Sequence, residues 1–273
     1  MPFNGYFGTP SMQLSSNKII TIIAIVLLMI IASIIYTVTQ KQAELPKMTV
    51  HEKKAGFKSL IVPAVNTVDG QLTQKEAELP KMTVQEKKAR FKSLIVPAVK
   101  TVYGKLMTRY ERIKATIDAG ENSAEIETLK VEYKATTNDE LLMALKPHPK
   151  SIVIAQAAME SSWATSRFFR VAYNIFGVWS FDKDEPRVAA LQKRGDKTIW
   201  VKKYASIEDS VFDYYRNLGR SSAFVEFRKA RMITNDPFIL VTKLDNYSEK
   251  GSLYGEELTS IIKFNKFDSY DAD

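Results

Sequence analysis

The chain has no cysteine among its 273 residues, so disulfides, thiol nucleophiles and thiolate-bound metals are excluded together. It has only two histidines, His51 and His148, and His148 stands between Pro147 and Pro149. A Ser-His-Asp triad needs a histidine oriented by a carboxylate, and hydrolytic zinc sites draw two or three ligands from histidine and cysteine. Neither assembles convincingly from this inventory. There is no glycine-rich phosphate loop, and nothing calls for a metal or a cofactor. What remains is carboxylate chemistry.

Long uncharged runs are also scarce, with one exception. Residues 19–38, IITIIAIVLLMIIASIIYTV, run for twenty positions without a charge, the length a helix needs to span a bilayer. No small-x-small cleavage pattern follows, so an uncleaved anchor is expected there, behind a short cytoplasmic tail of residues 1–18. The net charge is +8, unevenly spread: residues 1–135 hold 19 Lys+Arg against 12 Asp+Glu, and residues 136–273 hold 20 against 19. The excess follows the apolar run, where it either solvates a helical surface or meets anionic headgroups or wall polymer. No nucleic-acid motif accompanies it, so nucleic acid is not an expected partner. Lys41, Lys47, Lys53 and Lys54 after the span outnumber Lys18 before it, which by the positive-inside tendency favours a cytoplasmic C-terminal part. Long domains translocate largely regardless of such charges, so function has to arbitrate.

A repeat dominates the middle of the chain. Residues 40–72, QKQAELPKMTVHEKKAGFKSLIVPAVNTVDGQL, recur as QKEAELPKMTVQEKKARFKSLIVPAVKTVYGKL at 74–106, with 27 of 33 positions identical. Two units are too few for a solenoid, so this reads as a tandem duplication. Copy two continues into Val102, Leu106, Tyr110, Ile113 and Ile117 at helical spacing and is expected to join the fold. Copy one is expected to act as a spacer. Pro63 and Pro97 predict a broken helix or a helix-turn-helix in each copy.

From Asn138 onward helix alternates with non-helix. A short helix ends at Pro147, and an apolar helix over 151–169 follows, capped by Ser151. FGVWSF around Gly177 reads as loop and strand, and residues 186–206 as a hairpin tipped by Gly195-Asp196. A helix capped by Ser206 ends at Gly219, and two further helices lie near 221–232 and 255–263. Within the 151–169 helix, Glu160 closes an almost wholly apolar run and lies one turn from Gln156, Trp163 and Ala164. An indole against a carboxyl excludes water and raises its pKa, as in glycosidase acids. The alternative is a helix-end glutamate bonded to the amides of a neighbouring loop.

Four blocks together carry a family resemblance. SIVIAQAAMESSWATSRF (151–168) and NIFGVW (174–179) are followed by YASIEDSVFDYYRNL (204–218) and LDNYSEKGSLYGEEL (244–258). They resemble the bacterial peptidoglycan β-N-acetylglucosaminidases (mannosyl-glycoprotein endo-β-N-acetylglucosaminidase-like domains), in particular the Bax branch, over about residues 85–265. Copy two is similar to the helical segment that precedes the domain in that branch. The resemblance implies an α+β fold, lysozyme-like and helix-rich with a small β-hairpin lobe, here preceded by the transmembrane helix and a helical spacer. It divides the chain into anchor (19–38), first copy (40–73), helical segment (74–135) and glucosaminidase domain (136–273).

It also implies roles. Glu160 would be the general acid that protonates the oxygen leaving C1 of N-acetylglucosamine. Trp163, Asn174, Phe176, Gly177, Trp179 and Tyr204 would line or support the cleft, Ser206 would back its wall, and Tyr247 would face the reacting sugar. Tyr254, seven residues on, reads as structural. The second carboxylate is expected on the hairpin, among Asp182, Asp184, Glu185 and Asp196, with Asp196 favoured by its place at the tip. Ala164 departs from the family pattern, which has glycine after the tryptophan. The expected protein is a peptidoglycan hydrolase cleaving the N-acetylglucosaminyl-β-1,4-N-acetylmuramic acid bond, with glycan strands as its partner. It would sit in the bacterial inner membrane through residues 19–38, single-pass, with its domain facing the periplasm. Rival readings are a lytic transglycosylase and an inactive glycan-binding scaffold.

Overall fold

A computed structural model describes residues 79–194 and 197–272. The tail, the apolar run at 19–38, the first copy at 40–73 and Asp196 lie outside the described residues. Among the described residues no helix is long and apolar enough to cross a membrane.

The first element, α1 (Val84–Asp118), is one continuous helix of 35 residues with Pro97 inside it. The break expected at this proline does not occur. Proline removes one intrahelical hydrogen bond and crowds the preceding turn, but Pro97 lies on the exposed side. The opposite face is buried on both sides of it, through Phe91, Ile95 and Val96 before and Val99, Val102 and Leu106 after. Burial of six such side chains far outweighs one lost bond. A capping box between Thr83 and Glu86 opens the helix, satisfying two of its four orphan amides.

Helices α2 (Ala124–Tyr133) and α3 (Asn138–Leu145) follow, capped by Ser123 and Thr137. They close a small apolar cluster on the far half of α1, where Tyr110 and Ile113 meet Ile126, Leu129, Tyr133 and Leu141. Next comes α4 (Lys150–Glu160), buried along nearly its whole length. Its expected cap, Ser151, sits inside the first turn instead. Asp271, from the C-terminal end, caps the helix from outside, accepting Ser151 N–H at 2.9 Å and the Ser151 hydroxyl at 2.5 Å.

After α5 (Arg167–Ala172) the chain forms a two-stranded antiparallel hairpin, β1 (Arg187–Arg194) and β2 (Lys197–Lys202), irregular between Ala189 and Lys193. The 178–180 stretch pairs with the other edge of β2, through Ser180 N–H to Trp200 C=O at 2.9 Å and Lys202 N–H to Val178 C=O at 3.0 Å. α6 (Ile207–Arg220), capped by Ser206 as expected, packs on α1 and α3. Short α7 (Val225–Ile233) and α8 (Pro237–Leu240) lead to α9 (Ser252–Asn265). The described part is therefore helix-rich α+β with one small sheet. Its main core gathers α1, α4, α6 and α9, with α4 in the middle.

Because Pro97 is exposed and sits in an otherwise regular helix, Pro97→Ala is expected to stabilise the protein by about 2 kcal/mol. Chemical denaturation of the two proteins measures the difference.

Candidate active site

Glu160 is the last residue of α4. The helix does not continue to 169 as its apolar pattern suggests, because Ser162, Trp163 and Ala164 all take left-handed backbone, with φ of 51°, 63° and 60°. Each such residue costs on the order of 1 kcal/mol when it is not glycine. Several contacts offset that cost. The buried Ser161 hydroxyl donates to Ala157 C=O at 2.5 Å and accepts Ala164 N–H at 2.8 Å. Trp163 N–H reaches Ala158 C=O at 2.8 Å and Ser166 N–H reaches Ser161 C=O at 2.9 Å. From α1, the Arg90 guanidinium donates to Ala164 C=O at 3.0 Å. The family glycine after the tryptophan thus falls on a left-handed position, not on the helical one that the sequence pattern implies for Ala164.

The same turn redirects Trp163. Its ring meets Phe91 edge-on at 5.2 Å and Phe267 at 6.3 Å, with Lys88 Nζ 4.8 Å from its centroid. The indole clamps the turn to α1 and the C-terminal end, and the expected pairing of indole with the Glu160 carboxyl gives way to a tyrosine. Tyr254, on α9, donates its hydroxyl to Glu160 Oε1 at 3.1 Å. Gly255 makes this approach possible, since a Cβ there would stand 2.8 Å from Val241 C=O.

Removal from water pushes the Glu160 carboxyl up to about 7. The Tyr254 hydrogen bond and the Lys250 charge pull the other way, and Glu257 adds a small upward push. Lys250 and Glu257 form an ion pair beside the site. The position at a helix C-terminus, where the macrodipole disfavours an anion, acts in the same direction as burial. The result is a carboxyl that still holds its proton near neutrality.

The other expected residues are each held by contacts of their own. Tyr247 is buried and stacks on Tyr254, ring centroids 5.2 Å apart and 12° between planes. Phe176 is buried and stacks on Tyr214 at 4.2 Å. Asn174 staples the 174–178 loop: its carboxamide donates to Val178 C=O and Lys202 C=O and accepts Val178 N–H, all at 2.9 Å. Gly177 turns that loop with φ of 65°. Trp179 is partly exposed, its ring 6.1 Å from that of the exposed Phe181. Tyr204 donates its hydroxyl to Asp213 at 2.7 Å, and Asp213 also pairs with Arg216 at 2.7 Å. Of the hairpin carboxylates, Glu185 pairs with Lys202 at 3.2 Å and Asp182 accepts Asp184 N–H at 2.9 Å.

Tyr254 and Gln156 are the site residues that sequence reasoning missed. Tyr254 lies within the fourth family block, but its spacing from Tyr247 argued for packing alone. Gln156 lies one turn before Glu160, a signal that was visible but had no partner until the fold supplied one.

The chain is similar to several known proteins. Residues 139–267 match the family model described as mannosyl-glycoprotein endo-beta-N-acetylglucosaminidase. Protein bax of Escherichia coli (strain K12) is 30% identical over 124 residues, 43% of this chain and 43% of that protein, so the chain spans less than half of this relative's length. Among solved structures, the C-terminally truncated glycoside hydrolase domain of FlgJ from Salmonella typhimurium is 20% identical. It covers 50% of this chain and 93% of that one, with a TM-score of 0.37. A peptidoglycan hydrolase from Sphingomonas sp. A1 is 21% identical, covers 52% and 92%, and has a TM-score of 0.38.

Two outcomes follow from the geometry. Ser162 is exposed and left-handed, so Ser162→Gly relieves strain without removing a contact of its side chain. Stability is expected to rise by about 0.5–1 kcal/mol, read from the midpoint of urea unfolding. The second concerns pH. The folded-state pKa of Glu160 is above its unfolded value of 4.5, so the folded state binds more protons between pH 4.5 and about 7. The cost of ionising the buried acid is absent below that window and complete above it. Wild type should therefore lose about 2–3 kcal/mol relative to Glu160→Gln between pH 4.5 and 8, measured by denaturant unfolding at each pH.

Proposed function

We propose that residues 139–267, a domain of the glucosaminidase family, hydrolyse peptidoglycan with Glu160 as the general acid, cutting the bond on the reducing side of N-acetylglucosamine. The observation that carries this reading is the Glu160 carboxyl, partly buried at the end of α4 and raised to about 7. A neutral carboxylic acid at working pH is what a departing glycosidic oxygen needs, because the leaving sugar is a poor base until protonated.

In the proposed step, the C1–O bond breaks as the Glu160 proton moves to the leaving oxygen. The carboxylate left behind accepts from the Tyr254 hydroxyl, which lowers the cost of its charge. Positive charge at C1 is met by the carbonyl oxygen of the substrate's own 2-acetamido group, and water then opens that ring and returns a proton to Glu160. This route asks for one protein carboxyl. It suits a hairpin in which Glu185 is paired with Lys202 and Asp182 is spent on a local turn. In the same reading the partly exposed Trp179 and Phe181 offer aromatic faces to sugar rings, while Asn174 and Gly177 hold the loop that presents them.

The wider architecture completes the proposal. Residues 19–38 anchor the chain in the cytoplasmic membrane, and the lysozyme-like domain works on the outer side, where peptidoglycan lies. The uncharged run supports the anchor; the outward orientation follows from where the proposed substrate lies, against the weak positive-inside tendency of the lysines after the span.

Peptidoglycan digestion by the full chain, followed by mass spectrometry of the ends, tests the reading. Wild type is expected to release reducing N-acetylglucosamine ends, and Glu160→Gln to be slower by about a thousandfold. Anhydromuramic ends would make the protein a transglycosylase. Undiminished cleavage by Glu160→Gln would remove Glu160 from the reaction.

A further inference from the structure

Behind Glu160 the structure contains a chain of buried hydrogen bonds that the general-acid reading does not use. The Tyr254 hydroxyl, which donates to Glu160 Oε1, accepts from Gln156 Nε2 at 2.9 Å. Gln156 Oε1 accepts from the Tyr214 hydroxyl. The Tyr214 oxygen lies 2.9 Å from His148 Nε2. Gln156, Tyr214, Tyr254 and His148 are all fully buried, three of them on α4, α6 and α9 and His148 in the turn before α4.

One consistent direction runs along this chain, and the tautomer of His148 sets it. A phenol has one proton. With His148 protonated at Nε2, the Tyr214 oxygen accepts from the ring and the Tyr214 proton goes to Gln156. That tautomer is favoured because Nδ1 of His148 has no hydrogen-bond partner among the described residues, so a proton there would be buried unpaired. A second proton on the ring is opposed by burial and by the Arg231 charge nearby. With its oxygen turned to Tyr214, the Gln156 carboxamide must present its amide to Tyr254. Tyr254, accepting there, has its own proton for Glu160.

We infer that Gln156 and Tyr214, held by His148, are positioning residues that keep Tyr254 a donor to Glu160 in both protonation states of the acid. The consequence lies in where the catalytic proton sits. Were Tyr254 able to turn round, protonated Glu160 could donate inward through Oε1 to the tyrosine, and on to a reversed Gln156 carboxamide. That arrangement would hide the proton from the substrate. With the chain locked, Oε1 is always an acceptor and the proton rides on Oε2. The inference rests on the assignment of Glu160 as general acid.

Tyr214 does not touch Glu160, which makes Tyr214→Phe the informative variant. Without the Tyr214 hydroxyl the Gln156 carboxamide can reverse, and the inward arrangement stabilises protonated Glu160. On the full chain with peptidoglycan as substrate, kcat is expected to fall about five- to tenfold, with KM unchanged. The alkaline limb of the kcat profile should move up by about half a unit to one unit. Tyr254→Phe should show the same signature more strongly. The double variant should be no worse than Tyr254→Phe alone, since the effect of Tyr214 runs only through Tyr254. The other titratable groups facing Glu160, namely Tyr247, Lys250 and Glu257, stay in place in all of these proteins, as do Arg231 and Tyr215 around His148.

A wild-type profile for Tyr214→Phe, or losses that multiply in the double variant, would overturn the inference. Activity retained by Glu160→Gln, assayed alongside, would overturn the general-acid reading beneath it. A second measurement needs no substitution and holds if Tyr214→Phe does not fold. In wild type, the ¹⁵N side-chain amide of Gln156 should give one protected pair of signals throughout the titration of Glu160. An amide exchanging freely with water would sink the proposal.

Discussion

An ionisable group taken out of water must be paid for somewhere, and in this protein the desolvated carboxyl of Glu160 organises what lies around it. Burial raises its pKa to about 7, which is useful to a proton donor and costly to the fold as pH rises. The surroundings limit that cost without removing it. One tyrosine hydroxyl donates to the carboxyl at 3.1 Å. The charge of Lys250 acts on the carboxyl but is shared with Glu257, so it moderates the carboxyl without fixing it as a carboxylate. A guanidinium in direct contact would drive the pKa well down and abolish the acid. The Glu160 site is therefore balanced between too much stabilisation of the anion and too little.

Precision at that point comes from a strained turn. Three consecutive left-handed residues without a glycine among them are tolerated because Ser161, Arg90 and the clamped Trp163 tie the turn from three sides. Strain of this kind persists only where surrounding contacts over-determine the backbone. Here they end α4 at Glu160, so the carboxyl stands at the last residue of a buried helix instead of continuing along its flank.

Much of this was legible in the sequence. The helix periods, the Ser206 cap, the hairpin and the apolar run ending in an acid all follow from local pattern, and the four blocks point to the family. Three things were not legible, each for a physical reason. Pro97 predicts a break because propensity is local, whereas the burial that overrides it on the opposite face of α1 is tertiary. The helix was carried past Glu160 because small and apolar residues satisfy helical periodicity whether or not the backbone follows it. Tyr254 was missed because a hydrogen bond spanning 94 positions leaves no trace in spacing. The same holds for the Ser151–Asp271 cap.

The continuous helix α1 carries one more consequence. The residues it buries in the main core, Phe91, Ile95, Val96, Ala98, Val99, Val102 and Leu106, have identical counterparts in the first copy: Phe57, Ile61, Val62, Ala64, Val65, Val68 and Leu72. The chain thus encodes two apolar keys for one lock. Within the repeat, hydrophobic contact does not separate them; beyond it only copy two runs on into Tyr110 and Ile113, which the same helix buries. Arg90 bonds the strained turn, Lys100 lies over Tyr270 and the Tyr103 ring receives Lys150. Gly56, Asn66 and Asp69 stand at the matching places in the first copy and offer none of these groups. The positions at which the copies differ are thus also positions where copy two makes polar and cation-aromatic contacts to the rest of the domain.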